Sequence, residues 1–387
     1  MTISGTFDYS VVLPCLNEEK TLAKCILEAR DGALRAGLDI QIIVADNGST
    51  DNSVSIAKSL DALVVKVPIR GYGAAIDAGI RISDSDFIVI ADSDMSYDLS
   101  LAPIFVSELK KNGADLVIGN RFAGGIEPGA MPLHHKYFGN PVLSLLGRLF
   151  FHLPIRDFHC GMRAVRKETY LKASPVTKGM EYATEMVIRF ANIDAVILEI
   201  PTVLRKDMRG RKPHLRSFPD GWRHLKMMLL YSPHFFLLLP GLALGAASLY
   251  IISTLTYFGF VDFGIAKGDI QTSFFGLMLY MVSLQLIAAS FISMAYAKSK
   301  GINRFNAWNK LELILTSRRF IAIGTLVAFI GISGLIIITG TWIVSAYPSV
   351  SPITGARRTL PFILLAATGI QSIICSIQVR QLLSRFW

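Results

Sequence analysis

The sequence predicts an α/β domain built on a parallel sheet, then an amphipathic interfacial helix, then an all-helical domain of four membrane spans. Three observations carry this expectation. Over residues 1–226 charges are frequent and short β-branched runs alternate with helical patterns, as in sheets with crossover helices. From residue 227 onward the chain is mostly apolar, and stretches at 235–260, 273–297, 320–346 and 361–379 are long enough to cross a bilayer, which takes roughly 20 apolar residues. Between the two regions lies a basic stretch interleaved with aromatic and aliphatic residues. The averages over 387 residues, a mean hydropathy of +0.46 with 18% charged residues, suit neither a soluble enzyme nor a pure membrane bundle, and this split explains them. The expected boundaries are 1–215, 216–232 and 233–387, with a connecting loop at 298–319 inside the last domain.

Residues 9–14 form the first expected strand, followed by Cys15-Leu16-Asn17-Glu18-Glu19 and a helix with Leu22, Ile26 and Ala29 on one face. Residues 40–45 form the second, ending in Asp46-Asn47-Gly48-Ser49-Thr50-Asp51. Ligands of open α/β sheets sit at the carboxyl ends of strands, so both polar turns face one crevice. There Glu18 and Asp46 can accept hydrogen bonds from a base or ribose, while 46–51 also reads as an Asx-type turn with a helix N-cap. A third strand at 62–67 leads into Arg70-Gly71-Tyr72-Gly73, whose glycines let backbone approach a phosphate at a helix N-terminus. It is not a dinucleotide fingerprint, because GxGxxG is absent and the loop does not follow the first strand. Arg70 reads equally well as a surface charge.

The fourth strand opens the stretch 87–98 and delivers Asp92-Ser93-Asp94 at its carboxyl end. Two carboxylates one residue apart suit Mg²⁺ or Mn²⁺, which take oxygen ligands and leave positions for substrate phosphates. A fifth strand at 116–118 ends in Gly119-Asn120-Arg121-Phe122 and sets a guanidinium beside the same crevice.

The net charge of +10 has a location. Arg205, Lys206, Arg209, Arg211, Lys212, Arg216, Arg223 and Lys226 precede the first span, with Phe218, Trp222, Leu225, Met228 and Leu229 at helical spacing. This pattern fits a helix lying on anionic headgroups better than a nucleic-acid site, because it abuts a membrane span. Lys298, Lys300, Arg304, Lys310, Arg318 and Arg319 crowd one connection, so by the positive-inside rule that loop, the N-terminal domain and both termini are expected in the cytoplasm of a multi-pass cell-membrane protein. Arg357 and Arg358, assigned to the last outer loop, oppose this mildly. Residues 1–9 are polar and lack a signal-peptide core. Cys15, Cys25, Cys160 and Cys375 show no CxxC or zinc spacing and are expected as reduced thiols.

Taken in order, residues 12–19, 46–51 and 70–73, Asp92-Ser93-Asp94, Gly119-Asn120-Arg121 and Asp157-Phe158-His159-Cys160-Gly161-Met162-Arg163 resemble family 2 glycosyltransferases, in the branch of polyprenyl-phosphate sugar synthases similar to dolichyl-phosphate mannose synthase. The resemblance covers about residues 9–232. It implies a GT-A fold, a UDP- or GDP-hexose donor and a divalent cation at Asp92, Asp94 and the Ser96 position. It also implies donor contacts from Pro14, Asn17, Glu18, Asp46, Gly48, Ser49, Arg70, Gly71, Gly73 and Ser93. Arg121 would meet the acceptor phosphate, and Asp157 would stand where a general base is placed. Further acceptor-side candidates are Arg163, Arg211, Lys136, which reads equally well as a solvated side chain, and Glu181 and Glu185, which could touch sugar hydroxyls or equally tie down the basic segment after Pro201. A lipid phosphate is already an anion at neutral pH, so orientation should outweigh proton removal at Asp157. The chain departs from the branch at Ser96, where DADLQ enzymes carry glutamine, and has no evident second phosphate-binding arginine after Arg121.

The expected partners are thus a nucleotide sugar, a polyprenyl phosphate and the bilayer; a homo-oligomer stays open. A processive polysaccharide synthase would carry QxxRW, which is absent. A sugar-lipid flippase or scaffold with a degenerate nucleotide-binding domain is opposed by the intact acid pair, Arg121 and Asp157.

Overall fold

The computed structural model describes residues 7–210, 217–258, 260–262, 267–268, 270–299, 306–345 and 352–383. The chain forms two compact units, Met1–Met228 and Leu229–Trp387. The first is a seven-stranded sheet flanked by helices, with strands β1 (Tyr9–Cys15), β2 (Ile40–Asp46), β3 (Leu63–Lys66), β4 (Phe87–Ile90), β5 (Leu116–Asn120), β6 (Arg163–Arg166) and β7 (Ile197–Pro201). Its helices are α1 (Leu22–Ala36), α2 (Ser53–Ser59), α3 (Tyr72–Ile82), α4 (Ala102–Lys111), α5 (Arg121–Gly124), α6 (Asn140–Phe151), α7 (Lys167–Ala173) and α8 (Tyr182–Asn192), and α9 (Ser217–Tyr231) runs across the boundary. Tyr9, Val11, Val12 and Leu13 of β1 are fully buried, as a strand covered on both faces requires.

The strand order is β3-β2-β1-β4-β6-β5-β7. Pairings β1–β2, β1–β4, β2–β3 and β5–β7 are parallel, but β6 is antiparallel to both β4 and β5. The sheet is therefore mixed, against the all-parallel expectation. Arg-Ala-Val-Arg has too few apolar residues to read as a strand; the slot between β4 and β5 buries it. With Arg163 paired to both Ile90 and Ile118, β4 and β5 run in the same direction. The carboxyl ends of β1, β2, β4 and β5 share one edge, and residues 157–162 enter β6 at that edge.

Before the boundary, α9 is tied to α8 through His224, whose Nδ1 lies 2.7 Å from Thr184 Oγ1, while Thr184 Oγ1 is also 3.2 Å from His159 Nε2. Burial pushes His224 down to about 4 and His159 well below the ordinary imidazole value, so both stay neutral.

The second unit contains α10 (Leu239–Phe258), α11 (Ile270–Ser299), α12 (Asn306–Leu315), α13 (Arg318–Val344) and α14 (Pro352–Leu382). Four helical stretches, His234–Phe258, Gln271–Ser299, Arg318–Val344 and Thr354–Leu382, are long and apolar enough to cross a membrane. The α13–α14 contact is close because small residues face each other: a Cβ on Gly331 would lie 2.3 Å from the Ala366 nitrogen. The last helix begins well before Pro361, so Arg357 and Arg358 are helical rather than in an outer loop. Arg357 Nε and Nη2 donate to the Thr256 and Tyr257 carbonyls at 2.6 and 2.7 Å, satisfying acceptors that the end of α10 leaves open. In the basic connection, Lys298 Nζ pairs with the buried Glu312 of α12 at 2.5 Å.

Two outcomes follow for the full chain in detergent. Gly331→Leu should lower its stability by about 1–3 kcal/mol through overpacking, whereas Gly340→Leu, with nothing within 4 Å of its built Cβ, should leave thermal unfolding unchanged. The unfolded chain protonates its histidines near pH 6.5 while native His224 waits until about 4. Stability should therefore fall as pH drops from 6.5 toward 4, by about 1.4 kcal/mol per pH unit per such group. His224→Asn should flatten that slope; an identical slope would remove this account of His224.

Candidate functional site

The side of the crevice where a nucleoside is expected is made by the tips of β1 and β2. Asn17 adopts φ +58, which asparagine tolerates, and its Oδ1 accepts from the Thr50 amide at 2.7 Å. Asp46 Oδ1 accepts from the Ser49 amide at 2.9 Å, the Asx turn expected, and Gly48 takes φ +94 within it. The Asn17 amide donates to Ser49 Oγ at 3.0 Å and the Glu18 amide to Ser53 Oγ at 2.8 Å. Asn17, Glu18, Glu19, Lys20, Thr50, Asp51, Arg209 and Gly210 line a cleft of ≈ 260 Å³.

The glycine loop also answers a packing constraint. A Cβ on Gly71 would meet the Lys178 carbonyl, and one on Gly73 would lie 2.6 Å from both the Thr177 carbonyl oxygen and Tyr182 Cβ. These glycines let the 177–182 segment close on the start of α3. Asn47 Oδ1 accepts from the Gly71 amide at 2.7 Å, and Arg70 is exposed.

At the tip of β4 the two aspartates part company. Asp92 sits against Gly161, where a Cβ would come within 2.4 Å of its Oδ2, and faces the Tyr72 hydroxyl. Burial raises the Asp92 pKa, opposed by Arg209, by the Tyr72 hydroxyl and by Arg121 and Arg163. Asp94 Oδ1 accepts from the Ser96 amide at 2.9 Å, and its Oδ2 pairs with Arg209 Nη2, while Arg209 Nη1 lies 3.6 Å from Glu18 Oε1. Between them Ser93 Oγ donates to the Pro14 carbonyl at 2.7 Å and its own carbonyl accepts from Thr21 Oγ1 at 2.7 Å, so Ser93 and Pro14 join β4 to β1.

A Mg²⁺ or Mn²⁺ ion fits this tip. Asp94 already faces a cationic guanidinium, and among the described residues no three His, Cys, Asp or Glu side chains converge. So open a set suits a hard cation whose shell is completed by diphosphate oxygens and water, not a zinc cage. Asp94 would be its protein ligand with Asp92 beside it, and Ser96 supports Asp94 through its amide.

The end of the crevice where an acceptor is expected is built on the tip of β5. Asn120 Oδ1 caps the short α5 by accepting from the Ala123 amide at 2.9 Å, which presents Arg121. Arg121 and Asp157 form a two-pronged pair, Nε to Oδ2 and Nη2 to Oδ1 both at 2.7 Å, with the Arg121 amide donating to Oδ2 at 3.1 Å. Burial works to lower the Arg121 pKa and the Asp157 charge more than reverses it, leaving it well above the usual guanidinium value. Asp157 is fully buried with both oxygens engaged, the arrangement of an orienting group. Glu199 of β7 holds it in place, Oε1 accepting from the Asp157 and Arg156 amides at 2.7 and 2.8 Å.

The other expected acceptor residues divide. Arg163 donates to the Cys160, Ala183 and Phe158 carbonyls at 2.8, 2.6 and 2.7 Å, a structural role. Glu185 binds Arg189 at 2.6 Å and the 176–177 amides, also structural. Glu181 Oε2 is buried without a protein partner among the described residues, and such an atom needs a ligand or water. Lys136 stands over the Tyr137 ring at 5.6 Å, and Arg211 lies outside the described residues.

Sequence reasoning placed Arg205 and Arg209 in the membrane-facing basic stretch. In the structure Arg205 pairs with Glu28 and Asp98 at 2.7 and 2.5 Å, and Arg209 reaches the acid pair. It also passed over Tyr72 and Glu199; a lone carboxylate inside an apolar strand was the available signal for Glu199. Glu199→Ala should leave the buried Asp157 amide unpaired, costing about 1–3 kcal/mol of stability, and slow turnover. Glu199→Gln keeps an acceptor oxygen and should recover most of both, as thermal unfolding and initial rates would record.

The glycosyl transferase family 2 profile matches residues 10–173. The chain is 30% identical over 340 residues to the low-salt glycan biosynthesis hexosyltransferase Agl6 of Haloferax volcanii, covering 87% of this chain and 81% of that protein. It is 29% identical over 217 residues to a dolichyl-phosphate hexose transferase of the same organism, covering 55% of this chain and 89% of that protein. Glucosyl-3-phosphoglycerate synthase from Mycobacterium tuberculosis, crystallised with Mn²⁺, UDP and phosphoglyceric acid, gives a TM-score of 0.47 at 24% identity over 58% of this chain and 78% of that one. With the Agl6 match longer than the first unit and the family motifs gathered at one sheet edge, the chain belongs to glycosyltransferase family 2 and its first unit is a GT-A domain.

Proposed function

We propose that this enzyme transfers a hexose from UDP- or GDP-hexose to a polyprenyl phosphate, with inversion at the anomeric carbon. The observation that carries this reading is the Arg121–Asp157 pair set at the same sheet edge as Asp94, in a chain with four apolar helices of membrane-spanning length. An anionic acceptor has a fixed guanidinium to meet, and an apolar tail has a bilayer to occupy. The match to a dolichyl-phosphate hexose transferase supports a lipid acceptor.

Glu18 and Asp46 face the nucleoside, and Asp94 holds the diphosphate end. When bound, a divalent cation there would offset the charge of the departing diphosphate. Arg121, kept in orientation by Asp157, aligns the acceptor phosphate so that one of its oxygens forms the new bond to the anomeric carbon as the bond to the diphosphate breaks. The acceptor is already an anion, so no proton has to move to Asp157. The buried Glu181 Oε2 is a partner for a sugar hydroxyl. The basic connection containing α12 supports a cytoplasmic position for the catalytic unit and both termini.

Incubating membranes with radiolabelled nucleotide hexoses and polyprenyl phosphate should carry label into the organic phase. Asp94→Asn should reduce that transfer about 10²–10³-fold, the usual effect of losing a group that stabilises developing charge. Chelation should abolish it, and Mn²⁺ or Mg²⁺ should restore it. Arg121→Lys keeps the charge and loses the fork, and should slow transfer substantially. Undiminished transfer in Asp94→Asn under chelator would sink the reading.

A further inference from the structure

We propose that the exposed face shared by α11 and α14 is a self-association surface, on which the Gln285 and Gln371 amides of one copy bond those of a second copy of this chain inside the membrane. Both glutamines sit deep in helices of spanning length. Gln285 is the central residue of the 29-residue stretch Gln271–Ser299, and Gln371 lies three residues past the centre of Thr354–Leu382. At 1.5 Å per residue that offset is about 5 Å, well inside the roughly 15 Å half-thickness of the hydrocarbon. Gln285 is exposed and Gln371 half-buried. Their surroundings are apolar: Met278 and Val282 share the Gln285 face of α11 at helical spacing, and the exposed Ile370 and Ile374 flank Gln371 on α14.

Hydrocarbon leaves these amides unsatisfied. Gln285 Nε2 donates to Gln371 Oε1 at 3.3 Å, and among the described residues neither side chain has another partner. A primary amide offers two N–H donors and a carbonyl with two lone pairs. One long bond therefore leaves Gln285 with an N–H and its carbonyl open, and Gln371 with both N–H groups open, where no water completes them. Neighbouring polar side chains are closed within the bundle. Tyr280 Oη donates to Thr368 Oγ1 at 2.5 Å, and Thr368 passes its own proton to the Leu364 carbonyl at 2.6 Å. Ser248 and Ser283 each donate to a carbonyl of the facing helix, Gly276 and Gly241, at 2.7 Å.

The open groups name the occupant. An amide carries donor and acceptor together, so a two-fold axis beside this face brings the open N–H groups of each copy to the carbonyl oxygens of the other, a self-complementary contact. A polyprenyl tail has no such groups to offer. Polar side chains between spanning helices are an established source of helix association. The contact needs neither a donor sugar nor an acceptor, so it goes beyond the proposed reaction and can fail or hold independently of it.

All four native cysteines are buried, so Leu34→Cys, at a 79% exposed position on α1, takes donor and acceptor dyes selectively on the purified full chain. In liposomes, energy transfer between copies should rise and saturate as protein density increases. Combining Gln285→Leu with Gln371→Leu should move the midpoint about tenfold or more toward higher density, equivalent to about 1.4 kcal/mol and within reach of interhelical amide bonds. Thr325→Val removes a hydroxyl already bonded to the Ile321 carbonyl of its own helix at 2.9 Å and should leave the midpoint in place. In chains that keep both glutamines, oxidation should cross-link Val282→Cys or Ile370→Cys about fivefold or more above Ile336→Cys, a 65% exposed position on α13. That arm does not depend on how the leucine variants fold. The proposal is overturned if the native chain stays monomeric at every density, if the double leucine variant associates as tightly as the native chain, or if the α13 position cross-links as readily as the other two.

Discussion

The catalytic unit depends on keeping a fully buried carboxylate, Asp157, charged and in one orientation. A carboxylate taken out of water is tolerated only where a cation and hydrogen-bond donors replace its hydration. Arg121 supplies the cation with two donors from its fork and one from its backbone, and the His159 amide adds another at 3.3 Å. Removing either partner of such a pair strands the other charge, typically at about 3–5 kcal/mol. This pair explains why residues 119–121 and 157–163 occur together: one segment carries the fork and the other the group that aims it. Glu199, reaching across from β7, fixes the successive amides of Arg156 and Asp157 and joins the far edge of the sheet to the Arg121–Asp157 pair.

The tips of β1 and β4 obey the same rule with a different cation. Asp94 and Glu18 converge on the Arg209 guanidinium, so the acid-rich crevice already has positive charge beside it. Asp92 lies against Gly161 and the Tyr72 hydroxyl instead, with an elevated pKa set first by burial. Two carboxylates one residue apart thereby occupy different surroundings. Asp94 meets a guanidinium at the crevice; Asp92 packs into its floor.

Arginines in this chain serve several physical ends, and composition cannot sort them. Arg121 and Arg189 neutralise buried acids, Arg163 saturates loop carbonyls, and Arg357 closes the end of a membrane helix. In each case the planar five-donor fork matches acceptors held in a fixed arrangement. The formal charge of +10 is therefore only partly available to a membrane surface, because Arg205 and Arg209 turn inward to Glu28, Asp98, Asp94 and Glu18.

Local pattern was enough to read the β1, β2, β4 and β5 strands, the acid pair, the Arg121 turn and four apolar stretches of spanning length, because burial on both faces and membrane thickness impose runs that need no distant partner. The antiparallel β6, the inward turn of Arg209, the clamp from Glu199 and the close packing at Gly71 and Gly73 could not be read that way. Each is created by a segment tens of residues away: β4 and β5 make the slot that turns Arg-Ala-Val-Arg into a strand, and residues 177–182 supply the crowding that only glycine admits. Periodicity records which residues leave water, whereas pairing, direction and close approach are properties of two segments at once and are decided only when the chain has folded.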